Sequence, residues 1–145
     1  MDLLSTISAA WGWVGLTPDM VVGENDFGNL IIRDKEGRYW RLCPEDLYCR
    51  VVADSREKFD ELSVDHAFLR DWRASSWVEA ARSSLGTLRP GYKYYLVTPA
   101  PLGGAYTADN MKQLSLRELV SLSGDLAHQI DGLPDGARVD LKVTA

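Results

Sequence analysis

Two rhythms of apolar residues run through the chain. Near its start, Leu3 or Leu4, Ile7 and Trp11 recur at three- and four-residue steps in "LLSTISAAWGW". That spacing predicts a short helix over residues 3–13, loosened by Gly12 and Gly15. Pro18 and Asp19 mark a turn, and "MVVGEN" reads as a short strand. "NLIIRD" and "RYWRLC" are β-branched or aromatic runs on either side of "KEG". They predict a hairpin with strands at about 29–33 and 38–43 and with Gly37 at positive φ. In the second of these strands Trp40 and Leu42 should share one face, and Tyr39, Arg41 and Cys43 the other. Pro44 has no N–H for a ladder and should end the strand. "LYCRVVA" should add a third antiparallel strand over about 47–53.

The rhythm then becomes helical. Asp54 as N-cap with Glu57 three residues on predicts a helix in "SREKFDELS", with Phe59 and Leu62 facing inward. "DHAFLRDWRASSWVEAARSSLG" divides into two helical pieces. Phe68, Leu69 and Trp72 form the stripe of the first, and Val78, Ala81 and Leu85 that of the second. Ser75 and Ser76 are expected to recap the backbone between them, with Glu79 completing a capping box, and Gly86 to stop the second helix. "YKYYLVT" predicts a strand at about 92–98, and "MKQLS" a brief pairing partner. Ser115 with Glu118 should cap a long final helix. Within it Gly124, which costs about 1 kcal/mol against alanine, points to the close approach of another backbone. "LPDGARVDLKV" reads as a turn and a closing strand. The order of helix, strand block, helices, strand, helix and strand predicts an α+β fold, a mostly antiparallel sheet with helices packed on it, as a single domain over 1–145.

Composition sharpens this picture in a few places. A chain of 145 residues fits one core. A net charge of -5 argues against direct nucleic-acid binding and is compatible with a basic protein partner. Two cysteines are too few for a secreted disulfide scaffold, which points to the cytoplasm. The opening segment has Asp2 where a signal peptide carries basic residues. No apolar run approaches the roughly 20 residues of a membrane span, so no membrane partner is expected.

The candidate chemistry is thin. The glycines of "PAPLGGAYTADN" could cradle a phosphate, but such a loop should run straight into a helix carrying lysine and a hydroxyl. Here Asp109 would repel the anion and the helix is delayed to residue 115, so the loop is expected simply to turn the chain. Cys43 and Cys49 lack the partners of a zinc site, which needs about four ligands. No metal or cofactor is expected, and no catalytic residue. A small cysteine-dependent enzyme pairing either thiol with His66 or His128 is the rival reading, without a local signature to support it.

The carboxylates offer more. Asp54, Glu57, Asp60, Glu61 and Asp65 crowd one short helix and its ends, with Arg56 and Lys58 among them. They form either a solvated face or an acidic docking patch, which Glu45 and Asp46 could extend. Of the five tryptophans, Trp13 and Trp77 fit their helical stripes least well, and either could anchor an interface.

"AAWGWVGL", "NDFGNLIIRDKEGRYWRLCPEDL" and "PLGGAYTADN…SLRELVSLSGDLAHQIDGLPDG" together resemble the immunity proteins that protect bacteria against type VI secretion DNase effectors. More narrowly, residues 9–143 are similar to the domain that forms the C-terminal half of those proteins, without the GAD-like domain that commonly precedes it. The resemblance implies a non-enzymatic protein that binds a cognate effector toxin, encoded by the adjacent gene, and occludes or distorts its active site. The shared motifs hold glycines, prolines and apolar residues and should specify the fold. Toxin contacts are expected on surface positions, the candidates being Glu45, Asp46, Glu57, Asp60, Glu61, Asp65 and Trp77. An effector that is not a nuclease is the alternative target.

Overall fold

The computed structural model describes residues 2–134. The closing strand expected in "ARVDLKV" lies outside them. The chain opens with α1 (Leu3–Trp11), capped by the Asp2 carboxylate, which accepts the Ser5 N–H at 2.8 Å. A 3-10 turn and Gly15, at φ 97°, then redirect the backbone. Four strands follow as an antiparallel meander in chain order: β1 (Pro18–Glu24), β2 (Leu30–Asp34), β3 (Tyr39–Cys43) and β4 (Tyr48–Ala53). The β2–β3 turn carries Gly37 at φ 86°, as "KEG" predicts. Inside that turn the buried Asp34 carboxylate accepts the Glu36 and Arg38 N–H groups, the Arg38 guanidinium and the Trp40 indole N–H. Burial alone would raise its pKa, yet these donors hold it below the usual carboxylate range.

All five residues of β3 are buried, because both faces of this sheet are covered. On one face Leu30, Ile32, Trp40 and Leu42 pack with Ile7 and Trp11 of α1 and with Val120 and Leu126 of α5 (Leu116–Ile130). On the other, Ile31, Tyr39 and Ala53 meet Phe59 of α2 (Arg56–Leu62) and Phe68 and Trp72 of α3 (His66–Arg73). Tyr39 and Phe59 stack with centroids 4.4 Å apart. A second, smaller core lies beyond. There α4 (Ser75–Leu85) sets Ala81 against Phe27 and the two-stranded sheet of β5 (Tyr92–Leu96) and β6 (Met111–Ser115). The Tyr94 N–H donates to Asp26 O at 2.9 Å and ties this sheet to the end of the first. The result is the α+β fold expected from the order of elements.

Two caps differ from expectation. Ser55, not Asp54, caps α2: it sits in extended geometry and its hydroxyl accepts the Lys58 N–H at 3.2 Å. Between α3 and α4 no serine caps anything. Ala74 alone forms the joint in the left-handed region, at φ 45°, and its carbonyl accepts the Trp77 and Val78 N–H groups. A serine N-cap needs extended backbone, and a one-residue joint leaves no room for it. Ser115 caps α5 as predicted, its hydroxyl accepting the Glu118 N–H at 3.3 Å. Gly124 also behaves as its place in the helix suggests. A Cβ there would lie 2.4 Å from the Ala10 carbonyl oxygen, so α1 and α5 pack backbone to backbone.

Candidate functional site

The glycine loop is closed on itself. Gly104 leaves no room for a side chain, since a Cβ would stand 1.7 Å from the Thr98 carbonyl oxygen. Gly103, at φ 92°, donates to Ala100 O, and Gly104 to Pro99 O. The Asn110 amide clamps the loop by donating to Thr98 O and Ala105 O, each at 2.9 Å, while its oxygen accepts the Thr98 N–H. These amides are spent on the loop's own carbonyls and are not offered to a phosphate. The loop turns the chain, as the residue pattern predicted.

This loop docks on the "CPED" turn that follows β3. The Ala100 N–H donates to Glu45 O at 2.9 Å, and the Tyr106 hydroxyl donates to the Asp46 carboxylate at 2.5 Å. Trp77 stacks on Tyr106 with centroids 4.2 Å apart. The turn itself holds Leu47 at φ 50°, a left-handed conformation that costs a non-glycine residue strain, and buries its side chain in the main core. Glu45 reaches inward. Both of its oxygens accept from the Asn29 side-chain amide, at 2.9 and 2.8 Å. Burial pushes its pKa up, against the lowering effect of Asn29. Asn29 in turn accepts from Arg41 Nε at 3.0 Å, and Arg41 pairs with Asp71 on α3. Arg41 also lies over the rings of Phe68 and Trp72, 5.8 and 5.3 Å from their centroids.

The expected docking residues therefore separate. Glu45 and Asp46 are half-buried and bonded to Asn29 and Tyr106, and Trp77 is half-buried against Tyr106. Glu57, Asp60, Glu61 and Asp65 stand exposed along α2 and its end. Even there, Arg56 pairs with Asp60 at 2.9 Å, Lys58 lies 4.0 Å from Glu61, and Asp65 caps α3 by accepting the Phe68 N–H.

The cysteines are not poised for attack. Both are buried. Desolvation, with Glu45 and Asp46 adding to it, drives the Cys43 thiol far up, and burial alone pushes Cys49 up to about 12. Thiols held so firmly in their protonated form are poor nucleophiles. His66 begins α3 on the surface, and His128 stacks on Trp13. Among the described residues no group of three or more His, Cys, Asp or Glu is placed to hold a metal ion, and no helix is long and apolar enough to cross a membrane.

One feature escaped the sequence reading. Along the outer side of the α1–α5 contact runs an open groove of about 260 Å3, lined by Ala9, Ala10, Ser121, Gly124, Asp125 and His128. Its signal in the sequence is the absence of any charged residue from Leu3 to Pro18, in a chain with 26% charged residues.

The architecture has a counterpart among solved structures. The crystal structure of Atu4351 from Agrobacterium tumefaciens superposes with a TM-score of 0.59 at 15% identity, a likeness of fold alone. The match covers 83% of this chain and 61% of that one, so the present chain spans about three fifths of the other's length. Comparison with curated proteins gives no match. The class is set by the region from the last residue of β4 to the last turns of α5, which is that of a type VI secretion immunity protein. The chain belongs to the family described as "T6SS immunity protein Tdi1, C-terminal", whose model matches residues 53–127.

Proposed function

We propose that the chain binds a cognate type VI effector, a nuclease, and neutralises it by covering its active site in a stoichiometric complex in the cytoplasm. The observation that carries this reading is the family match over residues 53–127. Two features support it. The polar clusters from Arg41 through Asn29 to Glu45 and from Asp46 to Tyr106 hold the loops together, and burial keeps the Cys43 and Cys49 thiols protonated. The net charge of -5 complements the basic groove by which a nuclease holds its phosphate-rich substrate, and such complementarity speeds encounter.

The test is co-expression with the product of the adjacent gene. The expected outcome is rescue of growth, a complex that co-purifies at fixed stoichiometry, and loss of the partner's DNA cleavage on adding the chain. A partner that is toxic and bound but cleaves no nucleic acid would keep the immunity role and replace the target. A neighbour that is neither toxic nor bound would end the reading.

A further inference from the structure

The α1–α5 groove combines three properties that an interface core requires. Its α1 wall is uncharged. The solvent-facing positions of α1 are Ser5, Ser8 and Ala9, and interface cores are depleted in charge relative to the surrounding surface. Its floor is tightly closed, because Gly124 lets α5 come down on the backbone and methyl group of Ala10. It is also rigid. A ladder of rings runs outward from the buried Trp11 to Trp13, 5.9 Å away, and from Trp13 to the exposed His128, 4.4 Å away at an interplanar angle of 8°. The Trp13 indole N–H locks this ladder to the groove by donating to Ala10 O at 3.0 Å.

Two groups in the groove can select an occupant. Asp125 and His128 stand three apart on α5 and so share one helix face. Among the described residues, the Asp125 carboxylate takes one bond, from Gln129 to Oδ2, and no lysine or arginine lines the groove beside it. A carboxylate beside an aromatic face suits a guanidinium, which can bond the first through its planar fork and stack on the second. The groove is open rather than enclosed, unlike the pockets that bury most of a small-molecule ligand, and it has room for a long side chain.

We propose that this groove is the surface on which the effector docks, with an arginine of the effector seated between Asp125 and His128. The proposal rests on the immunity reading above and specifies its interface. It places the anchor across the main sheet from α2, whose acidic residues are partly paired within their own helix.

The experiment measures affinity of the full-length chain for the catalytically inactivated product of the adjacent gene. Ser121→Trp fills the groove from an exposed helix position, Asp125→Asn removes the carboxylate charge, and Asp60→Lys with Glu61→Lys reverses the α2 patch. Thermal melts confirm that each variant is folded. Loss of about 30-fold or more in affinity is expected for either groove variant, the scale of a hot-spot residue, with little change for the α2 reversal. Separately, N-acetyl-arginine amide at millimolar concentration should shift the Trp13 indole N–H resonance in the wild type and not in Asp125→Asn. Loss of affinity on α2 reversal alone would overturn the groove and leave the immunity reading intact. If the wild type binds no neighbouring effector, the immunity reading fails first, and the groove proposal falls with it.

Discussion

Gly124 of α5 rests directly on the Ala10 carbonyl of α1, and a methyl group at position 124 would stand 2.4 Å from that oxygen. Backbone cannot yield as a side-chain tip can. Gly124→Ala gains about 1 kcal/mol in helix propensity, but forcing the helices apart should cost more. The expected net loss is roughly 2 kcal/mol, read from the midpoint of urea unfolding. A variant as stable as the wild type would show that the two helices do not touch there.

Glu45 and Asp34 should make stability respond to pH in opposite directions. Glu45 has a raised pKa in the folded state, so ionising it disfavours folding, and its contribution is lost as pH rises through the folded value. Glu45→Gln should therefore be more stable than wild type at neutral pH, with the advantage vanishing below about pH 4, where the unfolded carboxyl is protonated. Urea titrations of both proteins at pH 3.5 and 7 measure this.

Asp34 carries the contrary sign. Its pKa is lowered, so its stabilisation is present above about pH 4 and disappears as pH falls through the folded value. Asp34→Ala would leave the Trp40 indole and the Arg38 amide without their acceptor. A loss of roughly 2–4 kcal/mol at pH 7 is expected, shrinking under acid conditions. An equal loss at both pH values would mean that packing, not charge, explains the cost.

The thiols offer a direct check on the cysteine-enzyme rival. Cys43 and Cys49 are buried with raised pKa values, so neither should react with a disulfide reagent at pH 8 until the protein is unfolded. Rapid labelling of one native thiol would return that rival to consideration.

Much of the fold could be read from local pattern because local chemistry determines it. "KEG" allowed one turn, Ser115 with Glu118 one helix start, and the stripe of Val78, Ala81 and Leu85 one buried face. The misplaced caps are local as well, but they depend on geometry that no pattern carries. Ser55 wins over Asp54 because its backbone is extended at the step into the helix, and Ala74 accepts a left-handed conformation because α3 and α4 are pinned on either side. The candidate site was less legible. Glu45 and Asp46 look like free surface acids in "CPEDL", yet Asn29 and Tyr106, distant in sequence, tie them down half-buried. The groove arises only when α1 and α5 meet. Its one trace was a missing property, the uncharged run from Leu3 to Pro18.

The doubly covered β3 has a consequence for how the molecule could be dissected. The family match starts at the end of β4 and so leaves out α1, β1, β2 and β3. Cut loose at that border, α5 would turn Leu119, Val120 and Leu126 toward solvent, and α2 and α3 would lose the rings and aliphatic groups beneath them. Such a truncated piece should clump rather than fold. The segment by which kinship is recognised is thus a passenger on a scaffold supplied by the first third of the polypeptide.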